Sequence, residues 1–204
     1  MTDGHEFRVL SSVEQFSGRV VSIVSDEITL PGGDSSVRDY VVHPGAVAVV
    51  PLDDHGRVVL VRQYRHPVRA DLWELPAGLL DVAGEPAVDT ARRELWEEAD
   101  LRAGRWDLLV DLLTTPGGSD EAIRVYLARE LTPAGADERH VRTAEEAVMT
   151  VEYVELDAAV RMVFDGTIQN AICAAGVLAA ARAAQNGFAN LRSADAPWEA
   201  RPGR

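Results

Sequence analysis

The residues of this sequence best suited to chemistry are three glutamates with the spacing of one helix face, Glu94, Glu97 and Glu98. On a helix over Pro86–Ala99, at about 100° per residue, their carboxylates fall within about 100° of one another. Grouped carboxylates repel one another, and a bound divalent cation reverses that repulsion. Mg²⁺ prefers such hard oxygen ligands and keeps positions for water and substrate phosphates. The spacing alone leaves two interpretations open: a solvated acidic helix face, which is the commoner one for such a run, and a metal site.

A sheet, and a turn before the helix, must position these carboxylates. The apolar residues of the helix lie on a separate arc that suits packing against a sheet: Val88, Ala91, Leu95 and Ala99. Before the helix, Leu75-Pro76-Ala77-Gly78 favours a turn with exposed backbone carbonyls. We expect one of those oxygens to lie close enough to join a metal site.

Elsewhere the sequence favours strands interleaved with a few helices. Strand patterns occupy residues 19–30, 37–42, 46–52, 57–65, 106–113, 122–127 and 150–156, and helical patterns occupy 86–99, 156–164 and 168–185. This order is typical of a mixed α/β domain rather than a regular βαβ repeat. We expect a β-rich arm over residues 1–43, a main domain over 44–190 and a disordered tail over 191–204.

The charge of the chain excludes several classes of function. Its 204 residues include 33 acids and 20 bases, for a formal charge of −13. This balance argues against binding nucleic acid or an anionic membrane through a basic surface. Every basic residue is arginine, which excludes Schiff-base chemistry and phosphate loops that need a lysine. An anionic substrate would therefore need positive charge from another source, most simply a metal ion.

Cysteine content and the N-terminus indicate a cytoplasmic protein. The one cysteine, Cys173, allows no internal disulfide, and its apolar surroundings predict a buried structural role. No basic segment followed by an apolar run opens the chain, so we expect no secretory signal. No stretch approaches the ~18 to 20 apolar residues that span a membrane.

Residues Gly78–Leu101 resemble the sequence box of the Nudix hydrolases. That box has a glycine, five residues, a glutamate, seven residues, and then Arg-Glu-apolar-x-Glu-Glu-x-Gly-apolar. Here six residues separate Gly78 from Glu85, and Arg93-Glu94-Leu95-Trp96-Glu97-Glu98 follows after seven. Asp100 replaces the final glycine, and we expect it to end the helix in a left-handed conformation, which Asp tolerates better than most residues.

The resemblance implies a fold and a metal site. The fold is α/β (α+β), with a mixed β-sheet core sandwiched by helices and an N-terminal antiparallel β arm. The implied metal ligands are Glu94, Glu98, Glu97 and the carbonyl of Ala77, and the implied cofactor is Mg²⁺ or Mn²⁺. Arg93 corresponds to the arginine that orders these carboxylates, and the role of Glu85 is open because of the extra residue before it.

The flanking segments resemble the ADP-ribose pyrophosphatase branch of that family. These segments are Val61–Arg65, Leu72–Gly78 and Thr115–Glu121, with Pro116 fifteen residues after Leu101. The implied reaction is metal-dependent hydrolysis of the diphosphate bond of ADP-ribose to AMP and ribose 5-phosphate. The branch also implies a homodimer that exchanges contacts through the β arm.

Further site residues follow from the same resemblance. Arginine suits phosphate oxygens because of its planar fork of donors. The candidate substrate-binding residues are Arg38, Arg65, Gly78, Gly117 and Glu121. The candidate catalytic base that activates water is Glu146, with Glu145 as the alternative, beside Glu97 and Arg93 in catalytic roles.

Three other functions stay open on the sequence. The chain can be a Nudix hydrolase of another nucleoside diphosphate sugar or of NADH, with the same metal chemistry. It can be a non-catalytic ADP-ribose-binding protein, although the short alanine-rich C-terminal segment does not resemble a DNA-binding module. A structural domain with a coincidental acidic helix is the remaining alternative.

Overall fold

A computed structural model of the chain describes residues 7–135, 137, 140, 142, 148–199 and 201. Its strands are β1 (Val9–Ser17), β2 (Ser22–Thr29), β3 (Ser35–Val42), β4 (Ala46–Pro51), β5 (Arg57–Arg65), β6 (Ala70–Glu74), β7 (Ala77–Leu79), β8 (Leu101–Leu113), β9 (Ala122–Pro133), β10 (Thr150–Glu155) and β11 (Arg192–Ser193). Its helices are α1 (Ala87–Ala99), α2 (Leu156–Phe164) and α3 (Ala171–Gln185), with a short 3₁₀ turn at His66–Val68.

The centre of the fold is a five-stranded sheet in the order β11-β8-β9-β4-β7. Strand β4 runs parallel to β9 and antiparallel to β7, so the sheet is mixed. All six residues of β4 are buried, as its continuous apolar run predicts for a strand covered on both faces. The carboxylate helix therefore packs against a fully buried strand.

Helices cover both faces of this sheet. On one face, α1 buries Val88, Ala91 and Leu95 against β4 and β9, which confirms the predicted packing arc. On the other face, α3 buries Cys173 and Val177 with the same two strands. Burial raises the pKa of the Cys173 thiol to about 12, in keeping with its predicted structural role. The sandwich of helices around a mixed sheet confirms the expected fold class.

Two smaller antiparallel sheets complete the described structure, β10-β5-β6 and the arm β1-β2-β3. In the arm sheet, Phe16 pairs with Ile23, and Val37 pairs with Glu27. Paired residues point to the same side of a sheet. This register puts four apolar residues on one face: Val13, Phe16, Ile23 and Val37. All four apolar side chains are exposed. Among the described residues, these four apolar side chains therefore stay uncovered on one face of the arm.

The described part of the segment 191–204, residues 191–199 and 201, differs from its prediction as a disordered tail. Its first residues form β11, which pairs with β8. Arg124, a buried residue of β9, donates to the carbonyls of Ala196 at 2.7 Å and Pro197 at 3.0 Å. A buried guanidinium needs acceptors, and this part of the tail supplies two of them.

Other differences are small. Helix α1 begins at Ala87, one residue later than expected, because Pro86 has an extended conformation and precedes the helix. Strands β1, β6, β7 and β11 are additional to the predicted ones. Within the described residues, no helix is long and apolar enough to cross a membrane.

Candidate active site

Two of the predicted carboxylates converge on β7, the short strand next to α1. The side chain of Glu98 is buried, and its Oε2 accepts a hydrogen bond from the Ala77 N–H at 2.9 Å. Glu94 lies directly over Gly78, where a Cβ atom would be only 2.0 Å from the Glu94 Cδ. Glycine at position 78 therefore provides the space in which the Glu94 carboxylate sits.

Arg93 forms ion pairs with three acids of the box. Its Nη1 is 2.6 Å from Glu94 Oε1 and 3.2 Å from Glu97 Oε2, and its Nη2 is 3.2 Å from Glu85 Oε2. Thr90 Oγ1 donates to the same Glu85 oxygen at 2.8 Å. The extra residue between Gly78 and Glu85 therefore does not prevent Glu85 from reaching Arg93.

These contacts fix the protonation states around Arg93. The hydrogen bond from Arg93, supported by the one from Thr90, lowers the pKa of Glu85. The hydrogen bond to Glu85 and the charges of Glu94 and Glu97 raise the pKa of Arg93, although burial opposes this. The cluster therefore holds a charged arginine beside the ionised carboxylate of Glu85 at neutral pH.

The donor chemistry of this cluster fits a hard divalent cation. Among the described residues, no group of three or more Asp, Glu, His or Cys side chains is arranged as a finished metal cage. In this arrangement Glu94 and Glu97 are both paired with Arg93, and Glu98 accepts from the Ala77 N–H. The carboxylates nevertheless supply oxygen donors at one end of α1, beside the backbone of β7, which are the donors Mg²⁺ and Mn²⁺ prefer.

Asp100 ends α1 in the left-handed conformation, with φ 54° and ψ 36°. Its N–H bonds to the carbonyls of Leu95 and Trp96, as the residue after a helix does in this type of ending. The left-handed conformation predicted for this residue is confirmed.

A second group of predicted residues lines a separate cavity of about 370 Å³. Arg38 and Tyr40 of β3 form one side, and the loop between β8 and β9, including Pro116 and Gly117, forms the other. Asp120 fastens this loop by accepting from the His43 N–H at 2.7 Å. The fold therefore brings Arg38 and Gly117 together although 79 positions separate them.

Glu121 and Arg65 already have protein partners. Glu121 Oε2 accepts from Thr114 Oγ1 at 2.5 Å, and its Oε1 is 3.5 Å from His43 Nε2. Arg65 donates to both oxygens of the buried Glu74, at 3.0 and 2.6 Å. A substrate would have to share these groups with their present partners.

The candidate bases Glu145 and Glu146 lie outside the described residues. The sequence also gave no sign of Arg142, which reaches the end of α1, or of Glu74, the partner of Arg65. Neither contact belongs to a local motif. The pairing of β5 with β6 could have suggested the contact between Arg65 and Glu74, since the two residues are nine positions apart on adjacent strands.

Comparison with known proteins identifies the family. The NUDIX domain model matches residues 42–171. The chain is 48% identical over 198 residues to an ADP-ribose pyrophosphatase of Mycobacterium tuberculosis, covering 97% of this chain and 94% of that protein. It is 36% identical over 158 residues to an ADP-ribose pyrophosphatase of Bacillus subtilis, covering 78% and 83%.

A solved structure described as an ADP compounds hydrolase has the same fold. It superposes with a TM-score of 0.77 at 20% identity, over 91% of this chain and 97% of that one. The resemblance to the ADP-ribose pyrophosphatase branch is thus confirmed by the relatives, and members of the family generally use divalent metal ions. This chain belongs to the Nudix hydrolase family and is an enzyme of it.

Proposed function

We propose that the protein hydrolyses the diphosphate bond of ADP-ribose to AMP and ribose 5-phosphate with the help of Mg²⁺ or Mn²⁺. The observation that carries this proposal is the convergence of Glu94 and Glu98 on β7 at Gly78. The names of the two relatives, both ADP-ribose pyrophosphatases, support the choice of substrate.

The carboxylates of Glu94, Glu97 and Glu98, with the carbonyl of Ala77, would hold the cation. A divalent cation at this place supplies positive charge for phosphate oxygens and lowers the pKa of water. Arg93 restrains Glu94 and Glu97, so their charges are placed before substrate arrives. Glu85 in turn restrains Arg93, which makes it a supporting residue rather than a ligand.

Activation of the attacking water is assigned to Glu146, or to Glu145. A general base must lie within hydrogen-bond reach of the proton that it takes. Glu146→Gln should therefore lower kcat strongly, whereas Glu145→Gln should not. The reverse result would move the assignment to Glu145.

The substrate residues divide between two places. We assign Arg38 and Gly117 to the cavity between β3 and the β8–β9 loop, where they would bind a sugar or phosphate group of the substrate. We assign Gly78 to the metal end of the site. Arg65 would bind a phosphate oxygen while Glu74 holds its guanidinium in a fixed plane. Glu121 would accept from a ribose hydroxyl beside its bond to Thr114.

The arm supports assembly into a homodimer. Its exposed face carries Val13, Phe16, Ile23 and Val37. A three-stranded sheet of this kind gains stability by covering such a face. A second copy of the chain is the proposed cover.

The direct test is a substrate panel. Purified protein with Mg²⁺ is incubated with ADP-ribose, ADP-glucose or NADH, and the products are separated by chromatography. The proposal predicts AMP and ribose 5-phosphate from ADP-ribose, a clear preference for that substrate, and loss of turnover with EDTA. Turnover of the other compounds only would overturn the substrate, and binding of ADP-ribose without turnover would favour a binding protein.

A further inference from the structure

The Asp100 side chain, which replaces the glycine of the Nudix box, makes an ion pair with a distant part of the chain. Its Oδ2 is 2.7 Å from Nη2 of Arg142, and both side chains are mostly buried. The two residues are 42 positions apart. Arg142 belongs to the connection between β9 and β10, residues 134–149, which also contains the candidate bases.

The same arginine completes the end of the helix. The last carbonyls of a helix lack partners within it, and cationic groups are favourable there. The last turn of α1 contains no basic residue of its own. Instead, Nε of Arg142 donates to the carbonyl of Glu97 at 3.0 Å. One guanidinium therefore binds both Asp100 and the backbone of a proposed metal ligand.

Two further contacts hold this connection against α1. The Ala134 N–H donates to the carbonyl of Asp100 at 2.8 Å. The ring of His140 packs edge-on against Trp96, with 5.3 Å between centroids. The connection is thus attached to the end of α1 at its first residue and again at residues 140 and 142.

The ion pair is not the simplest way to end this helix. A left-handed conformation strains any residue with a Cβ atom, and glycine avoids the strain. In addition, Asp100 Oδ1 is buried and has no hydrogen-bond partner among the described residues, which costs further free energy. What aspartate adds, and glycine lacks, is the bond to Arg142.

We propose that Asp100 and Arg142 are positioning residues that fasten the β9–β10 connection to the metal end of α1. The proposal rests on the proposed function, because the connection carries Glu145 and Glu146. These acids follow Arg142 by three and four positions, so extended chain limits Glu146 to about 14 Å from it. The hydrogen bond from Arg142 to the Glu97 carbonyl therefore fixes one end of the stretch of sequence that carries the proposed base.

The test compares Asp100→Gly, Asp100→Asn, Arg142→Gln and the double variant Asp100→Asn/Arg142→Gln. Each single variant should lower kcat for ADP-ribose by about 10- to 100-fold with little change in KM, because displaced catalytic groups slow the chemical step. The double variant should be no slower than the slower single variant. Asp100→Gly should keep or raise Tm while it loses activity, a combination that a merely structural role does not give.

A matched control lies on the same helix. Asp89 and Arg92 form an exposed ion pair at 2.6 Å, and Asp89→Asn or Arg92→Gln should leave kcat unchanged. Wild-type kcat in the Asp100 and Arg142 variants would overturn the proposal, as would additive losses in the double variant.

Hydrogen exchange separates failure of this proposal from failure of the proposed function. Peptides covering residues 134–149 should exchange faster in Asp100→Gly and Arg142→Gln than in wild type, whatever the substrate. Unchanged exchange would overturn the fastening role even if ADP-ribose is the substrate. Absence of wild-type turnover of ADP-ribose would overturn the proposed function and leave the exchange result to decide the fastening.

Discussion

The central sheet and the N-terminal arm differ in how much of their apolar surface is buried. Every residue of β4 is buried, whereas every residue of β1 is exposed. The central sheet is covered by α1 on one face and by α3 on the other. The arm, in contrast, leaves Val13, Phe16, Ile23 and Val37 exposed among the described residues. One region is therefore covered on both faces, whereas the other leaves apolar side chains exposed.

This difference matters for the site. The proposed metal end lies on α1 and β7, both supported by β4. The cavity with Arg38 lies partly on β3, which belongs to the arm. We therefore expect chemistry to depend on the core, and substrate affinity to depend also on what covers the arm.

The largest expected effect on activity comes from a change at the proposed metal end, which the central sheet supports. Glu98→Gln keeps an oxygen that can accept from the Ala77 N–H, so the protein should fold. It should lower kcat/KM by roughly 1,000-fold, because a catalytic metal stabilises transition-state charge by several kcal/mol. Steady-state hydrolysis measures the loss, and Asp89→Asn, on another face of the helix, is the control that should not change. Comparable rates for the two variants would contradict the site.

Adding a methyl group at Gly78 should lower the activity of the enzyme while its stability changes little. In Gly78→Ala the new Cβ would meet the end of the flexible Glu94 side chain, so that side chain moves and the backbone need not. We expect kcat to fall by about 100-fold, since displacement by about 1 Å has that order of effect. Tm should change little. A large fall in Tm, or full activity, would show that Glu94 does not depend on this space.

The arm is tested by Phe16→Glu. A charge on the exposed face should weaken association by at least about 10-fold, because burying a phenylalanine contributes about 1.5 to 3 kcal/mol. Analytical ultracentrifugation should show half the wild-type mass, with KM raised more than kcat is lowered. Val9→Glu, on the opposite face of the same sheet, is the matched control and should leave the mass unchanged. A monomeric mass for the wild-type protein would contradict the proposed dimer.

The smallest effect concerns the tail. Burial by itself raises the pKa of Asp111, but hydrogen bonds from Arg124 and Arg192 outweigh burial and lower it. A lowered pKa stabilises the fold above the unfolded pKa of about 3.9, and this contribution is lost as pH falls through the folded value. Arg192→Gln should therefore cost at most about 1 kcal/mol at pH 7 and less near pH 3.

Urea unfolding at the two pH values measures this difference. Arg182→Gln is the matched control, because Arg182 is exposed on α3 and bonds to the neutral Gln185. Its effect should not depend on pH. An Arg192→Gln effect that grows in acid would contradict the assignment to Asp111.

The elements predicted well from sequence are those whose pattern is local. Helix α2 was predicted at its observed bounds by its apolar period, and β5 was predicted at its observed bounds after the turn at residues 53–56. Strand β7 was missed because Ala-Gly-Leu has little preference for a strand, and pairing with β4 creates it. The carboxylate helix was found because three acids and four apolar residues separate onto two arcs.

Long-range partners account for what the sequence did not predict. The tail was expected to be disordered from its prolines and glycine, but the acceptors it gives to Arg124 lie more than 70 positions away from that residue. The bond between Asp100 and Arg142 likewise spans 42 positions. Such contacts depend on the completed fold, and no short stretch of the sequence contains both partners.

Metal binding by the purified protein tests the central claim most directly. Mn²⁺ binding, followed by electron paramagnetic resonance, is compared in wild type, Glu98→Gln and Asp89→Asn. The account predicts equal affinity for wild type and Asp89→Asn, and at least about 100-fold weaker binding for Glu98→Gln. Equal affinity in all three proteins would contradict it, because the metal would then lie elsewhere than on the carboxylates at β7.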